Sequence, residues 1–335
     1  MFLGSSNLAG HKVGQNENYR QACPLVPQVR RGTLQVIEWF AYLLVFGLLI
    51  ESVSAETGSS DHAKEKLAFV ANLDGNWDLF IADIDGTNRK RLTETPYDEA
   101  DPVWSPDRRN IAFSGTDGYL RVVNLTTGEV GEYKPDSEEM RYRQPSYSPD
   151  ASKIALSIHY RGTIDRTDLG VLSLADTTLD IPVPENSLQL FPSWSPDGET
   201  IYYVKVTCNV GCGRIIQEVW SLPWPEGFPK QELLTNSHCQ SPDLSPDGTE
   251  LVFSSNQGGS FDLWKHSYAT GETVRLTYDP ALDIGPSWSK GGATVAFTST
   301  RDAGFGIYIL NVKSGEIKPF RPFGDEPIEC KNPDF

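Results

Sequence analysis

Cysteine, histidine and positive charge are all scarce in this chain, and each shortage closes off a class of function. Five cysteines and five histidines occur in 335 residues. The nearest approach to a metal motif, Cys208-x3-Cys212 with scattered partners, is a poor match to the spacings of structural zinc sites. Twenty-nine lysines and arginines stand against forty-five aspartates and glutamates, a formal charge of −16. That balance is the reverse of what a nucleic-acid surface needs, so no nucleic-acid partner is expected. No Gly-x-Ser-x-Gly elbow is present, which removes a serine peptidase of the α/β-hydrolase kind within this chain. Long hydrophobic runs are missing too. The most apolar stretch, Trp39 to Ile50, is 12 residues between Glu38 and Glu51, below the ~20 of a membrane helix and normal for a signal-peptide core.

The N-terminal third of the first two hundred residues is therefore read as targeting and linker. Residues 1–33 are polar and without periodicity, Arg30-Arg31 precede the apolar stretch, and Val53-Ser54-Ala55 follows it as a small-residue cleavage site. These features predict a preamble and signal peptide over residues 1–55, cleaved after Ala55, and an exported protein, periplasmic or secreted. The alternative is an uncleaved signal anchor over residues 34–52, the one case in which a membrane would be a partner. Residues 56–65 read as a polar linker.

What the rest of the chain has in abundance is a repeat. Trp104-Ser-Pro-Asp107, Tyr147-Ser-Pro-Asp150, Trp194-Ser-Pro-Asp-Gly198, Leu244-Ser-Pro-Asp-Gly248 and the weakened Trp288-Ser-Lys-Gly291 occupy the same place in successive units. A proline two residues before each large apolar residue suits the start of a short strand. Ser-Pro-Asp-Gly then supplies a turn with Pro at its second position and Gly where positive φ is required. β-rich runs follow, such as Leu251 to Ser254 and Ile307 to Leu310. The anchors Trp104, Tyr147, Trp194, Leu244, Trp288 and Phe335 lie 43 to 50 residues apart, the length of a four-stranded propeller blade. The chain ends on a lone first strand at Asn332-Pro-Asp-Phe335, and Leu67 to Thr93 supplies three strands with no first. The prediction is an all-β, six-bladed β-propeller over residues 66–335, a monomer, closed when the C-terminal strand joins the N-terminal three.

This repeat resembles that of the TolB-type propellers of bacterial envelope proteins, over roughly residues 66 to 335. The resemblance implies a periplasmic protein that binds another envelope protein or peptide, with peptidoglycan-associated lipoprotein as the family's familiar partner. In that family an α/β domain precedes the propeller, and residues 1–65 leave no room for one. A second propeller family with this repeat character, the oligogalacturonate lyases, implies a different activity, in which a metal is held by His and Gln at the channel mouth. His159, His238 and Gln240 are the positions it would use, and the relevant face offers only these two histidines.

The topology puts the Ser-Pro-Asp and Gly turns on one face and the variable loops on the other, around the channel mouth, where binding residues are expected. The partner-binding candidates there are Arg141, Arg143, Gln144, His159, Arg161, Arg166, Glu99, Asp101, Gln189, Gln240 and Asp283. Among them Arg141, Arg143, Arg161, Arg166 and His159 form a basic patch in an acidic protein, a candidate anion site because guanidinium forks grip carboxylates or phosphates. The competing expectation is that these arginines pair with Asp98, Glu99, Asp101, Asp165 or Asp168. Cys208, Cys212, Cys239 and Cys330 map to the same face and predict disulfides in an exported protein, either Cys208–Cys212 or one of these two with Cys239. No catalytic residue and no cofactor is expected.

Overall fold

The computed structural model describes residues 65–163, 166–209, 214–302 and 304–335. The expectations for residues 1–64, and for Cys212 and Asp165, lie outside the described residues, as does the side chain of Cys208. Three strands open the described chain: β1 (Lys66–Asn72), β2 (Trp77–Asp83) and β3 (Lys90–Arg91). The first complete blade follows as β4 (Glu99–Trp104), β5 (Asn110–Gly115), β6 (Leu120–Asn124) and β7 (Val130–Tyr133). The second is β8 (Met140–Tyr147), β9 (Lys153–Tyr160), β10 (Thr167–Ser173) and β11 (Leu179–Asp180), and the third is β12 (Gln189–Trp194), β13 (Thr200–Asn209), β14 (Arg214–Pro223) and β15 (Lys230–Gln231). The fourth runs β16 (Cys239–Leu244), β17 (Glu250–Ser255), β18 (Asp262–Ser267) and β19 (Thr273–Arg275); the fifth, β20 (Asp283–Trp288), β21 (Thr294–Ser299), β22 (Gly306–Asn311) and β23 (Ile317–Phe320). The last strand, β24 (Cys330–Asp334), pairs with β1, so the sixth sheet has the order β24-β1-β2-β3 and the six-bladed ring is closed as expected.

Each anchor is a wedge between two blades. Trp104 packs with Ala68 and Leu79 of the sixth blade and Phe113 of its own; Trp194 packs with Ala155 and Leu169 of the second and Tyr203 of the third. The core is a set of such clusters around the ring. This explains why the second strand of a blade, such as β5 or β17, is buried on both faces and reads as a continuous apolar run rather than an alternating one.

The turns that follow the anchors are self-sufficient. Ser195 Oγ donates to Asp197 Oδ1 at 2.5 Å and accepts from Thr200 N at 2.9 Å, while Asp197 Oδ1 also accepts from Glu199 N at 3.0 Å. The same bonds tie Ser245 to Asp247, whose carboxyl is held down to about 2 by the Ser245 hydroxyl. The Gly position is left-handed, with φ of 75° at Gly198 and 71° at Gly248, and Arg108 and Ala151 take the same conformation at 63° and 58°.

The prolines sit elsewhere than at strand starts. Pro102, Pro145, Pro192, Pro242, Pro286 and Pro333 lie inside the inner strands, each after a residue at positive φ: Asp101, Gln144, Phe191, Ser241, Gly285 and Asn332. Ladder register slips at these positions, as between Ala100 and Val103. The inner strand is the edge of its sheet, open toward the axis, and a bulged edge strand is where a missing N–H does no harm.

Candidate functional site

The bulges place three residues per blade around the axis, enclosing a cavity of about 170 Å³. One ring is formed by the left-handed residues, the next by the prolines, and the third by Val103, Ser146, Ser193, Asp243, Ser287 and Asp334. An open strand edge leaves backbone N–H groups in want of acceptors, and the third ring supplies them from blade to blade. Trp288 N donates to Asp243 Oδ2 at 2.8 Å and Trp104 N to Asp334 Oδ2 at 2.7 Å. Ser193 Oγ reaches the other oxygen of Asp243 at 3.3 Å, and Ser287 Oγ that of Asp334 at 3.2 Å. Each aspartate therefore spans three successive blades. Burial pushes Asp243 up to about 7 and Asp334 up to about 6, against the pull of the Trp288 and Trp104 amides. Sequence reasoning missed this pair. The signal was available: the residue between proline and anchor is serine in three units and aspartate in these two.

Five of the residues singled out from sequence occupy one equivalent position, three before the proline, at the start of an inner strand. Glu99, Gln189, Cys239, Asp283 and Cys330 are exposed by 1, 1, 0, 0 and 4 per cent. Glu99 Oε2 accepts from Leu79 N at 2.9 Å, and Gln189 Oε1 from Leu169 N at 2.9 Å, so both brace the preceding blade. Asp283 pairs with Arg301 at 2.8 Å. Cys239 and Cys330 are free, buried thiols in different core clusters. The expected pairing of Cys239 with Cys208 or Cys212 is therefore not present in the structure: Cys239 Sγ lies 3.3 Å from Thr235 Oγ1. Burial pushes the Cys330 thiol up to about 12, which leaves it inert.

His159 belongs to the second blade and His238 and Gln240 to the fourth, with the third between them. Among the described residues no three of His, Cys, Asp or Glu are grouped as a metal site would require.

The basic patch divides. Arg166 Nη2 bonds Asp168 Oδ2 at 2.6 Å and lies over the Tyr160 ring at 4.7 Å, as the ion-pair expectation has it. Arg161 is exposed, its backbone N bonded to Glu139 O at 2.6 Å. Arg141 and Arg143 have no carboxylate in ion-pair contact among the described residues. Their Nη1 atoms donate instead to backbone carbonyls, Arg141 to Asp117 O in the loop before β6 and Arg143 to Gly115 O at the end of β5, each at 2.5 Å. Gln144 Oε1 accepts from Phe191 N at 3.0 Å, and Asp101 Oδ1 from Asn332 Nδ2 at 3.2 Å. Burial raises the Asp101 carboxyl, with Arg143 opposing.

The repeat can now be compared with known proteins. The model of the TolB beta propeller domain matches residues 56–207 and 230–328. The chain belongs to the TolB beta-propeller family. Among curated relatives, the Tol-Pal system protein TolB of Francisella tularensis subsp. mediasiatica is 28% identical over 268 residues, covering 74% of this chain and 58% of that protein. The chain thus spans under three fifths of the length of the curated TolB proteins it matches there. Among solved structures, TolB from Acinetobacter baumannii superposes with a TM-score of 0.68 at 18% identity, over 80% of this chain and 66% of that one. An oligogalacturonate lyase from Vibrio parahaemolyticus superposes with 0.55 at 16% identity, over 76% and 73%. At such identities the structural likeness is one of fold.

Proposed function

We propose that this TolB-like propeller is an exported, non-catalytic module that binds a protein or peptide of the bacterial envelope through its channel-mouth face. The observation that carries the reading is the contrast between the two faces. The Ser-Pro-Asp turns satisfy their own polar groups, whereas the mouth face presents Tyr97, Ile215, Leu234, Tyr278 and Leu282 at 41 to 72 per cent exposure, five of the eight exposed large apolar side chains among the described residues; Phe228, at 89 per cent, stands alone in a turn of the opposite face. A concentration of exposed large apolar side chains marks an interaction surface, and loops on a rigid scaffold are where binding is placed. The Tol-Pal name of the relatives adds support for an envelope partner of the peptidoglycan-associated lipoprotein kind.

The test is in vivo crosslinking from defined positions. A photoreactive amino acid at Leu234 or Tyr278 is expected to capture a discrete partner, and the same group at Glu272 or Lys313 on the turn face is expected to capture none. Capture from the turn face alone would refute the assignment of the mouth.

A further inference from the structure

We propose that Arg141, Arg143 and His159 form a carboxylate-binding subsite at the mouth, taking an acidic side chain or the C-terminal carboxylate of a peptide partner. This rests on the reading of the mouth as the partner-binding face and names the chemistry recognised there.

Strand register brings the three together. Arg141 is directly opposite His159, and Arg143 opposite Ser157, in the β8–β9 pair. Opposed residues, and residues two apart on a strand, share a face of the sheet. Both guanidinium groups are held from behind by one Nη1 each, through Asp117 O and Gly115 O. A carbonyl fixes the orientation of a guanidinium without neutralising it. The carboxylate nearest in sequence to these carbonyls is otherwise engaged, since Asp117 holds Arg121 with both oxygens, at 3.1 and 2.5 Å. Elsewhere Arg91, Arg121, Arg166, Arg275, Arg301 and Arg321 each have an acidic partner. Arg89 and Arg108 are likewise held by carbonyls, of Pro322 and Lys66, so what sets Arg141 and Arg143 apart is that two guanidinium groups without a direct ion-pair contact stand side by side on one sheet face.

The imidazole completes the site. His159 Nε2 has no hydrogen-bond partner and no exposed surface in the structure, a costly state for a polar atom that a turn of the ring toward a carboxylate held by the arginines would relieve. Burial first, and then the neighbouring Arg143 charge, hold this histidine below its ordinary range, so at neutral pH the ring is uncharged and can donate one N–H. Two planar forks and one N–H match the two oxygens of a carboxylate, with single charge-assisted bonds from each side. A monoanion suits the site better than a phosphate dianion, because Asp101 faces Arg143 from the adjoining blade and Asp117 stands behind it.

The experiment is isothermal titration of the full chain at low salt with three probes: acetyl-hexaglutamate amide, its hexaglutamine counterpart, and acetyl-triglycine with a free C-terminus. Binding of hexaglutamate or of the free C-terminus, and not of hexaglutamine, is expected, and which of the two binds identifies the source of the carboxylate. R141A/R143A should weaken that binding by at least ~10-fold, and R141K/R143K by less; because both arginines are half-buried and hold backbone carbonyls, melting curves of each variant confirm that the protein is folded at the titration temperature. In the histidine NMR spectrum, the His159 titration midpoint should rise when the peptide is bound. Equal affinity in parent and R141A/R143A, an unmoved His159 midpoint, or inorganic phosphate binding as tightly as hexaglutamate would overturn the proposal. Those failures leave the crosslinks at Leu234 and Tyr278 untouched, so the subsite and the binding face stand or fall separately.

Discussion

Asp243 and Asp334 show how a single residue can serve the ring and also set its pH response. Their carboxyls are raised in the folded protein, to about 7 and about 6 from an ordinary 3.8, by burial. The folded state therefore holds these protons more tightly than the unfolded chain. Their contribution to stability is complete below about 3.8 and is lost as pH rises through about 6 and then about 7. Asp243→Asn and Asp334→Asn keep an acceptor for the anchor amide, and the serine hydroxyl, which donates to the carboxylate in the parent, can turn to accept from the new amide. Each is expected to raise stability at pH 8 by about 2 kcal/mol, on the order of 4 °C in melting temperature, and to change little at pH 4. Thermal melts across that range check it; a loss of stability at pH 8 would show that the charged form is the one the ring needs. At this scale the sequence was only partly legible. It showed that Glu99, Gln189, Cys239, Asp283 and Cys330 lie near the mouth, and it could not show that a position three before the proline turns into the adjoining blade. Function was read into residues that the structure buries between blades, while the aspartates on the axis were passed over.

At the scale of elements, the repeat was legible because its turn is chemically closed. Serine, aspartate and a left-handed fourth residue satisfy one another within five positions, so the motif can be recognised without knowing its surroundings. The second blade departs from it by one atom. Ala151 adopts φ of 58°, a conformation costing an L-residue about 1–2 kcal/mol, against which glycine loses about 0.5–1 kcal/mol in chain entropy. Ala151→Gly is thus expected to stabilise the protein by about 0.5–1 kcal/mol, measured by denaturant unfolding at constant slope. An unchanged or lowered midpoint would mean that the Ala151 methyl packs usefully among the cluster under Tyr147. The inner strands were less legible. Proline reads as a strand start in isolation, and only the ring reveals that its strand is an open, bulged edge where the residue before it must turn left-handed.

For the whole molecule, closure was deducible from arithmetic alone, a first strand at one end and three more at the other. Deleting residues 330–335 should remove β24, leave β1 unpaired on its inner side and take Asp334 from the amide of Trp104. The expected result is aggregation or a broad, non-cooperative melt, read by light scattering and calorimetry. A truncated protein that unfolds like the parent would show that the ring does not depend on this join.

That join also orders events in time. A ribosome makes β1 early and the residues that pair with it, such as Lys331 opposite Val70 and Asp334 opposite Ala68, some 260 positions later. Until Cys330–Asp334 have left the exit tunnel, the first sheet has an exposed edge and no ring exists. Blades one to five can form as they emerge, but the ring locks only once β24 is available to β1. A stop just before Cys330 should therefore be far more damaging than the few strand residues it removes would suggest.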